Sequence, residues 1–95
     1  MPPKQIAKIA KALSDETRFQ IYKSIAAKEE LNCGDVCLKQ AVGHATVSHH
    51  LRVLTEAGLI ESRRQGQFIF YRALPGTLLE FNKALANLNP KLKTL

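Results

Sequence analysis

Along this chain, apolar residues recur at helical spacing in several stretches and alternate in one. Ile6, Ile9, Ala10 and Leu13 form a single stripe over residues 4 to 13, with Lys4, Lys8 and Lys11 pointing elsewhere, which predicts a short amphipathic helix. A second helix starts at Ser14 or Asp15, carries acids in its first turn and presents Ile21, Tyr22 and Ile25 on its apolar face. A short third helix runs from about Cys33 to Gln40 and ends at the small residues before Gly43. The fourth, over "HATVSHHLRVLTEAGLI", is the best patterned, and it stops at Gly58. From there the pattern turns to alternation: "LIESRRQGQFIFYRAL" predicts a two-stranded hairpin with Gly66 at its tip. Helical spacing returns with Leu78, Phe81, Leu85 and Leu88, before Pro90 and a fraying tail. The expected fold class is mainly α with a small β-hairpin (α+β), one domain over residues 1 to 95.

The faces of the fourth helix follow from a step of about 100° per residue. Val47, His50, Leu51 and Leu54 fall on one side; Ala45, Ser48, His49, Arg52 and Glu56 fall on the other. The first set packs inward. The second is an outward strip of small, hydroxyl, imidazole and guanidinium side chains, which can enter a DNA major groove and exchange hydrogen bonds with base edges. A metal site built from this helix alone is excluded, because His44, His49 and His50 project about a third of a turn apart and cannot converge on one ion. His50, bordering the apolar side, reads as a structural histidine.

Charge supports the nucleic-acid reading. Fourteen Lys and Arg against eight Asp and Glu leave a net charge of +6 on 95 residues, which favours an acidic partner. Between Lys39 and Arg72 the acids are Glu56 and Glu61 alone. Arg63, Arg64, Gln65 and Gln67 at the hairpin tip are placed to pair with phosphate oxygens. No apolar run reaches the roughly 20 residues of a membrane span, and the first residues lack the apolar core of a signal peptide. No membrane partner and a cytoplasmic location are therefore expected. Two cysteines do not make a disulfide framework.

"ALSDETRFQIYKSI", "ELNCGDV" and "ATVSHHLRVLTEAGLIESRRQGQFIFYRAL" together resemble the winged helix-turn-helix repressors of the ArsR/SmtB family over nearly the whole chain. The resemblance implies about five helices plus a two-stranded wing. It also implies a homodimer joined by the terminal helices, about residues 4–13 and 76–89, on a palindromic operator in double-stranded DNA. Ser48 and His49 fall at the family's base-reading positions, and His50 at its inward one. The expected DNA-facing set is His44, Ala45, Thr46, Ser48, His49 and Arg52 on the helix, with Arg63, Arg64, Gln65 and Gln67 on the hairpin. The function expected is a transcriptional repressor released from DNA by an effector. The alternative is a winged-helix module for protein–protein or RNA contacts without operator recognition.

Cys33 and Cys37 are the candidate thiol sensor. Four residues apart on a helix, their Cβ atoms stand about 5 to 6 Å apart. A disulfide wants roughly 3.5 to 4.5 Å, so closing one would distort the helix, whereas a thiophilic ion could bridge the pair. Metalloid-binding members of the family carry a motif resembling "ELCVCDL", whose cysteines would fall at Asn32 and Gly34, so core packing is the favoured reading of Cys33 and Cys37. Residues 75 to 95 hold no His, Cys or Asp and one acid, Glu80, so the family's zinc site on the last helix is not expected. No metal site and no cofactor are predicted. No Gly-rich phosphate loop or "HExxH" is present, and no enzyme is expected. A Cys–His nucleophile would need an exposed, thiolate-stabilised cysteine beside a histidine.

Overall fold

The computed structural model describes residues 1–40, 43–89 and 91. In chain order it comprises α1 (Pro3–Leu13), α2 (Glu16–Ala26), β1 (Leu31–Asn32), α3 (Cys33–Gln40), α4 (His44–Glu56), β2 (Ile60–Gln65), β3 (Phe68–Ala73) and α5 (Pro75–Ala86). The expected end of α3 at the small residues before Gly43 falls partly on 41 and 42, which lie outside the described residues, as does Pro90.

Each boundary has a local cause. Asp15 caps α2: its carboxylate accepts the Arg18 backbone N–H at 2.9 Å, supplying a partner to one of the four amides a helix start leaves open. That hydrogen bond holds the Asp15 carboxyl below its ordinary range. Asn32 does the same for α3, its side-chain oxygen accepting the Asp35 N–H at 2.8 Å. At the end of α4, Gly58 adopts φ +78°. Its N–H reaches Thr55 O at 3.0 Å while Leu59 N–H reaches Leu54 O at 3.1 Å. This paired closure needs a left-handed residue, which glycine adopts without a Cβ clash. It drops the fully buried Leu59 and Ile60 into the core as the hairpin begins.

The hairpin has the expected strands and tip, with Gly66 at φ +62° and pairs running from Ile60↔Ala73 to Gln65↔Phe68. The sheet is larger than expected by one strand. Its order is β1-β3-β2, with Leu31 opposite Tyr71 and Asn32 opposite Phe70. Two residues are too short to alternate visibly, and β1 exists because the outer edge of β3 offers it hydrogen-bonding partners.

One core joins these elements: Ile9, Ile21, Ile25, Val36, Val47, Leu51, Leu54, Leu59 and Ile60 are its largest fully buried side chains. In α1 the buried positions are Ile9 and Ala12, with Ile6 and Leu13 packed at the margin. Ala10, expected on the buried stripe, is exposed instead, because it stands about 100° around the helix from the central Ile9. In α5 only Phe81 is buried. Leu79 and Leu88 are 56% and 75% exposed, and Leu85 is also open to solvent. Among the described residues no helix is long and apolar enough to cross a membrane.

Candidate nucleic-acid interface

Helix α4 divides as its periodicity predicts. Val47, His50, Leu51 and Leu54 are buried, while His44, Ala45, Thr46, Ser48, His49, Arg52 and Glu56 are exposed. Fully burying a leucine is worth about 1.5–3 kcal/mol, so the inward set fixes which face looks out. At the N-terminus Gly43 supplies no side-chain cap, and His44, Ala45 and Thr46 form the exposed first turn, the end at which a helix attracts phosphate. Within the outward strip, Arg52 Nη2 donates to His49 Nδ1 at 3.0 Å, so the two side chains form one polar unit.

His50 has a different role. Arg18 Nη1 lies 3.3 Å from His50 Nδ1, and a guanidinium can only donate, so this ring nitrogen is bare. Burial lowers the His50 pKa from 6.5, opposed by Asp15 and reinforced by Arg18. The same guanidinium donates from Nε to Ala12 O at 2.6 Å and from Nη2 to Lys11 O at 3.2 Å. Arg18 thus ties the end of α1 and the start of α2 to the inner face of α4. No local pattern marks it, because its side-chain partners lie on two other helices, α1 and α4. Lys8 and Lys11 are a second addition: with His49 they border a cleft of about 420 Å³ between α1 and α4, bringing positive charge beside the outward strip.

The hairpin separates residues expected to act together. Successive strand residues face opposite sides of a sheet, and Arg63 and Arg64 do so. Arg63 Nε and Nη2 donate to the two Glu30 carboxylate oxygens at 2.7 and 2.8 Å. Its Nη1 donates to Gln65 Oε1 at 2.8 Å, and the guanidinium lies 4.8 Å from the centre of the Phe70 ring. The pair shifts both groups, Glu30 downward and Arg63 upward, through that side-chain hydrogen bond. Arg63 and Gln65, expected on phosphates, are therefore engaged within the protein. Glu30 precedes β1, and only the unforeseen third strand brings it here. Arg72 is similarly paired with Glu61. Arg64 is exposed on the other face, and Gln67 lies in a cleft of about 430 Å³ between the hairpin and the start of α4, beside His44, Ser48 and Tyr71.

Cys33 lines the same cleft. Both cysteines are free and half-buried against the core, in keeping with a packing role, yet packing is not their whole environment. His44 reaches back from α4 to place Nδ1 3.8 Å from Cys33 Sγ. The donor atoms of Cys33, Cys37 and His44 all lie within 4.8 Å of one another. Spacing alone sets the histidines and the cysteines apart; the packing of α4 against α3 brings them together. Burial first, and then Cys37, push the Cys33 thiol pKa up, with a hydrogen bond from Ser48 acting the other way. That is the reverse of the activation a cysteine nucleophile requires.

A three-helix core, an outward polar strip on its last helix and a basic hairpin beside it define a winged helix-turn-helix domain. The family described as "Helix-turn-helix domain" matches residues 13–63, more than half of the chain. Over 72 residues the chain is 35% identical to the transcriptional repressor SdpR of Bacillus subtilis, covering 76% of this chain and 78% of that one. The "ArsR-like Transcriptional Regulator from Rhodococcus sp. RHA1" matches with a TM-score of 0.85 at 27% identity, over 96% of this chain and 85% of that one. A homodimeric winged helix-turn-helix DNA-binding domain from Mycobacterium bovis, Mb0332, matches with a TM-score of 0.74 at 27% identity, over 90% and 79%. The chain belongs to the ArsR family of winged helix-turn-helix transcriptional regulators. It spans 57% and 62% of the length of the first two curated relatives it matches.

Proposed function

We propose that this protein is a homodimeric repressor that occupies a palindromic operator, blocking transcription by occupancy without making or breaking bonds. The observation that carries the reading is the outward strip of α4, where Ala45, Ser48, His49 and Arg52 are all exposed opposite a fully packed inner face. Ser48, His49 and Arg52 read base edges. The first turn of α4, His44, Ala45 and Thr46, holds a phosphate at the helix start. On the wing, Arg64 and Gln67 contact the backbone, and Arg63 with Gln65 keeps the hairpin in shape through Glu30. Lys8 and Lys11 add sequence-independent attraction.

Dimerisation through α1 and α5 is supported by the uncovered Leu79, Leu85 and Leu88, an apolar face that a second copy would bury. The protein works in the cytoplasm with reduced thiols, and repression ends when an effector lowers its DNA affinity. The test is a gel shift against DNA from upstream of the protein's own gene, with random DNA as competitor. Retention at moderate salt in a twofold-symmetric footprint is expected. Binding that random DNA removes with equal efficiency would instead favour a winged-helix module for protein or RNA contacts.

A further inference from the structure

At a step of about 100° per residue, Lys4, Lys8 and Lys11 fall within about 60° of one another around α1, on the flank that borders α4. Lys4 and Lys8 meet the end of α4 at Glu56 and Gly58. Lys8 and Lys11 meet its middle, in the cleft of about 420 Å³ that Arg18, His49 and Val53 also line. That cleft gathers hydrogen-bond donors. Among the described residues neither the Lys8 nor the Lys11 ammonium has an ion-pair or hydrogen-bond partner. Arg18 is half-buried, and Ala12 O, Lys11 O and His50 Nδ1 take three of its N–H groups; a guanidinium has five, so two remain. His49 Nδ1 accepts from Arg52 at 3.0 Å, which in the neutral ring leaves the proton on Nε2, another donor. The opposing charge is Glu56, which borders both clefts and so stands where they meet. Packing accounts for Arg18, which ties α1 and α2 to α4. It does not account for two unpartnered ammonium groups and an imidazole N–H around the same space.

We propose that the cleft between α1 and α4 is a phosphate subsite. On DNA it holds one backbone phosphate; in the free protein it binds small phosphorylated molecules, which therefore compete with the operator. A phosphate group presents several negatively charged acceptor oxygens, and bonds to them from ammonium and guanidinium groups are among the strong hydrogen bonds. Arg18 supplies positive charge already fixed in place by its bonds to α1 and α4, so little ordering is needed on binding. Lys8 and Lys11 close on the ligand from flexible stems. The volume lies within the range of about 300–1,000 Å³ common for small-molecule sites, and Val53 offers an apolar wall to the organic part of a phosphorylated compound. Competition follows from His49, which belongs both to this cleft and to the outward strip of α4. A phosphate held there engages His49 Nε2 and sets negative charge beside Arg52, which repels the DNA backbone. By linkage, DNA weakens the free phosphate by the same factor. The DNA half rests on the proposed repressor function; the binding of free phosphate does not.

The test titrates the full-length protein with inorganic phosphate at constant ionic strength, held with chloride, following the ¹⁵N resonances of the His49 ring and the Val53 amide. Saturable shifts are expected. The double variant Lys8→Gln, Lys11→Gln should raise the half-saturating concentration by about tenfold or more. Lys4→Gln removes the same kind of charge from the same flank but outside the cleft, and should stay within about twofold. Glu56→Gln should tighten phosphate by about two- to fivefold, a gain that misfolding does not produce. Shifts that never saturate, or equal losses from Lys4→Gln and the double variant, overturn the subsite. For DNA, the double variant should reduce the slope of log affinity against log salt by about one, the amount for one phosphate, while Lys4→Gln keeps the parent slope. Saturating phosphate should weaken operator binding by about fivefold or more in the parent and leave the double variant unaffected. A changed slope without saturable phosphate binding overturns the small-molecule half, and saturable binding with slope and operator affinity unchanged overturns the DNA half. A protein that binds phosphate but shows no preference for operator over random DNA refutes the repressor reading while leaving the subsite standing.

Discussion

Helix α4 and the β2–β3 hairpin both face outward, and both carry arginines, yet they acquire their roles differently. On α4 a residue's role is set by its own angle around the axis. His49 and His50 are adjacent in sequence, but one lies in the solvent-facing strip and the other is buried against Arg18. On the hairpin, alternation determines which side of the sheet a residue occupies, and a distant partner then decides what it does there. Arg63 and Arg64 are equally basic, but Glu30 claims the first and leaves the second at the surface. Periodicity alone therefore predicts which face of α4 each of His49 and His50 takes, whereas the hairpin residues also depend on a contact 33 positions away in sequence.

The largest effects should come from breaking the inner face of α4. Leu51→Ala or Leu54→Ala, each removing a fully packed side chain, should cost about 2–5 kcal/mol in denaturant unfolding. His49→Ala on the opposite face should stay within about 0.5 kcal/mol of the parent. Equal costs on the two faces would contradict the division.

The hairpin comparison sharpens next. Arg64→Ala should weaken binding to operator and random DNA alike and reduce the slope of log affinity against log salt by about one. Arg63→Ala should leave that slope nearly unchanged, because its charge is already paired with Glu30. Glu30→Gln releases Arg63 and should raise non-specific affinity. Identical slopes for the two arginine variants would restore the simpler view of the wing as one basic patch.

The smallest effect concerns His50. Its folded pKa lies below the ordinary 6.5, so below that pH the unfolded chain takes up a proton that the folded chain resists. The His50 contribution to stability is complete above about pH 6.5 and declines as pH falls toward the folded value. Unfolding free energies measured between pH 7.5 and 5 should therefore drop more steeply for the parent than for His50→Gln. Parallel curves for the two proteins would remove the buried, neutral role of His50.

What was legible in the residues follows the same line. The register of α4, the stop at Gly58 and the turn at Gly66 were all readable, because each depends on a few consecutive residues. β1 was not, being two residues held only by pairing with β3. Arg18 escapes sequence reading for a related reason: its partners Lys11, Ala12 and His50 belong to two separate helices, and no spacing signals them. Ala10 was misplaced because the α1 stripe is centred on Ile9 and turns toward Ala12. The spacing of the cysteines reads as packing, which their half-buried position supports. What their spacing does not reveal is that α4 packs with His44 beside them.

The most direct measurement is the ratio of affinities for a self-selected operator and random DNA, at one fixed salt concentration, in the parent and in Arg52→Ala. With Arg52 reading a base edge, the ratio should fall by about tenfold or more, equivalent to about 1–3 kcal/mol of lost discrimination, with random-DNA affinity falling much less. If both affinities fall by the same factor and the ratio holds, the outward half of α4 is only a charged surface, and it does not read sequence.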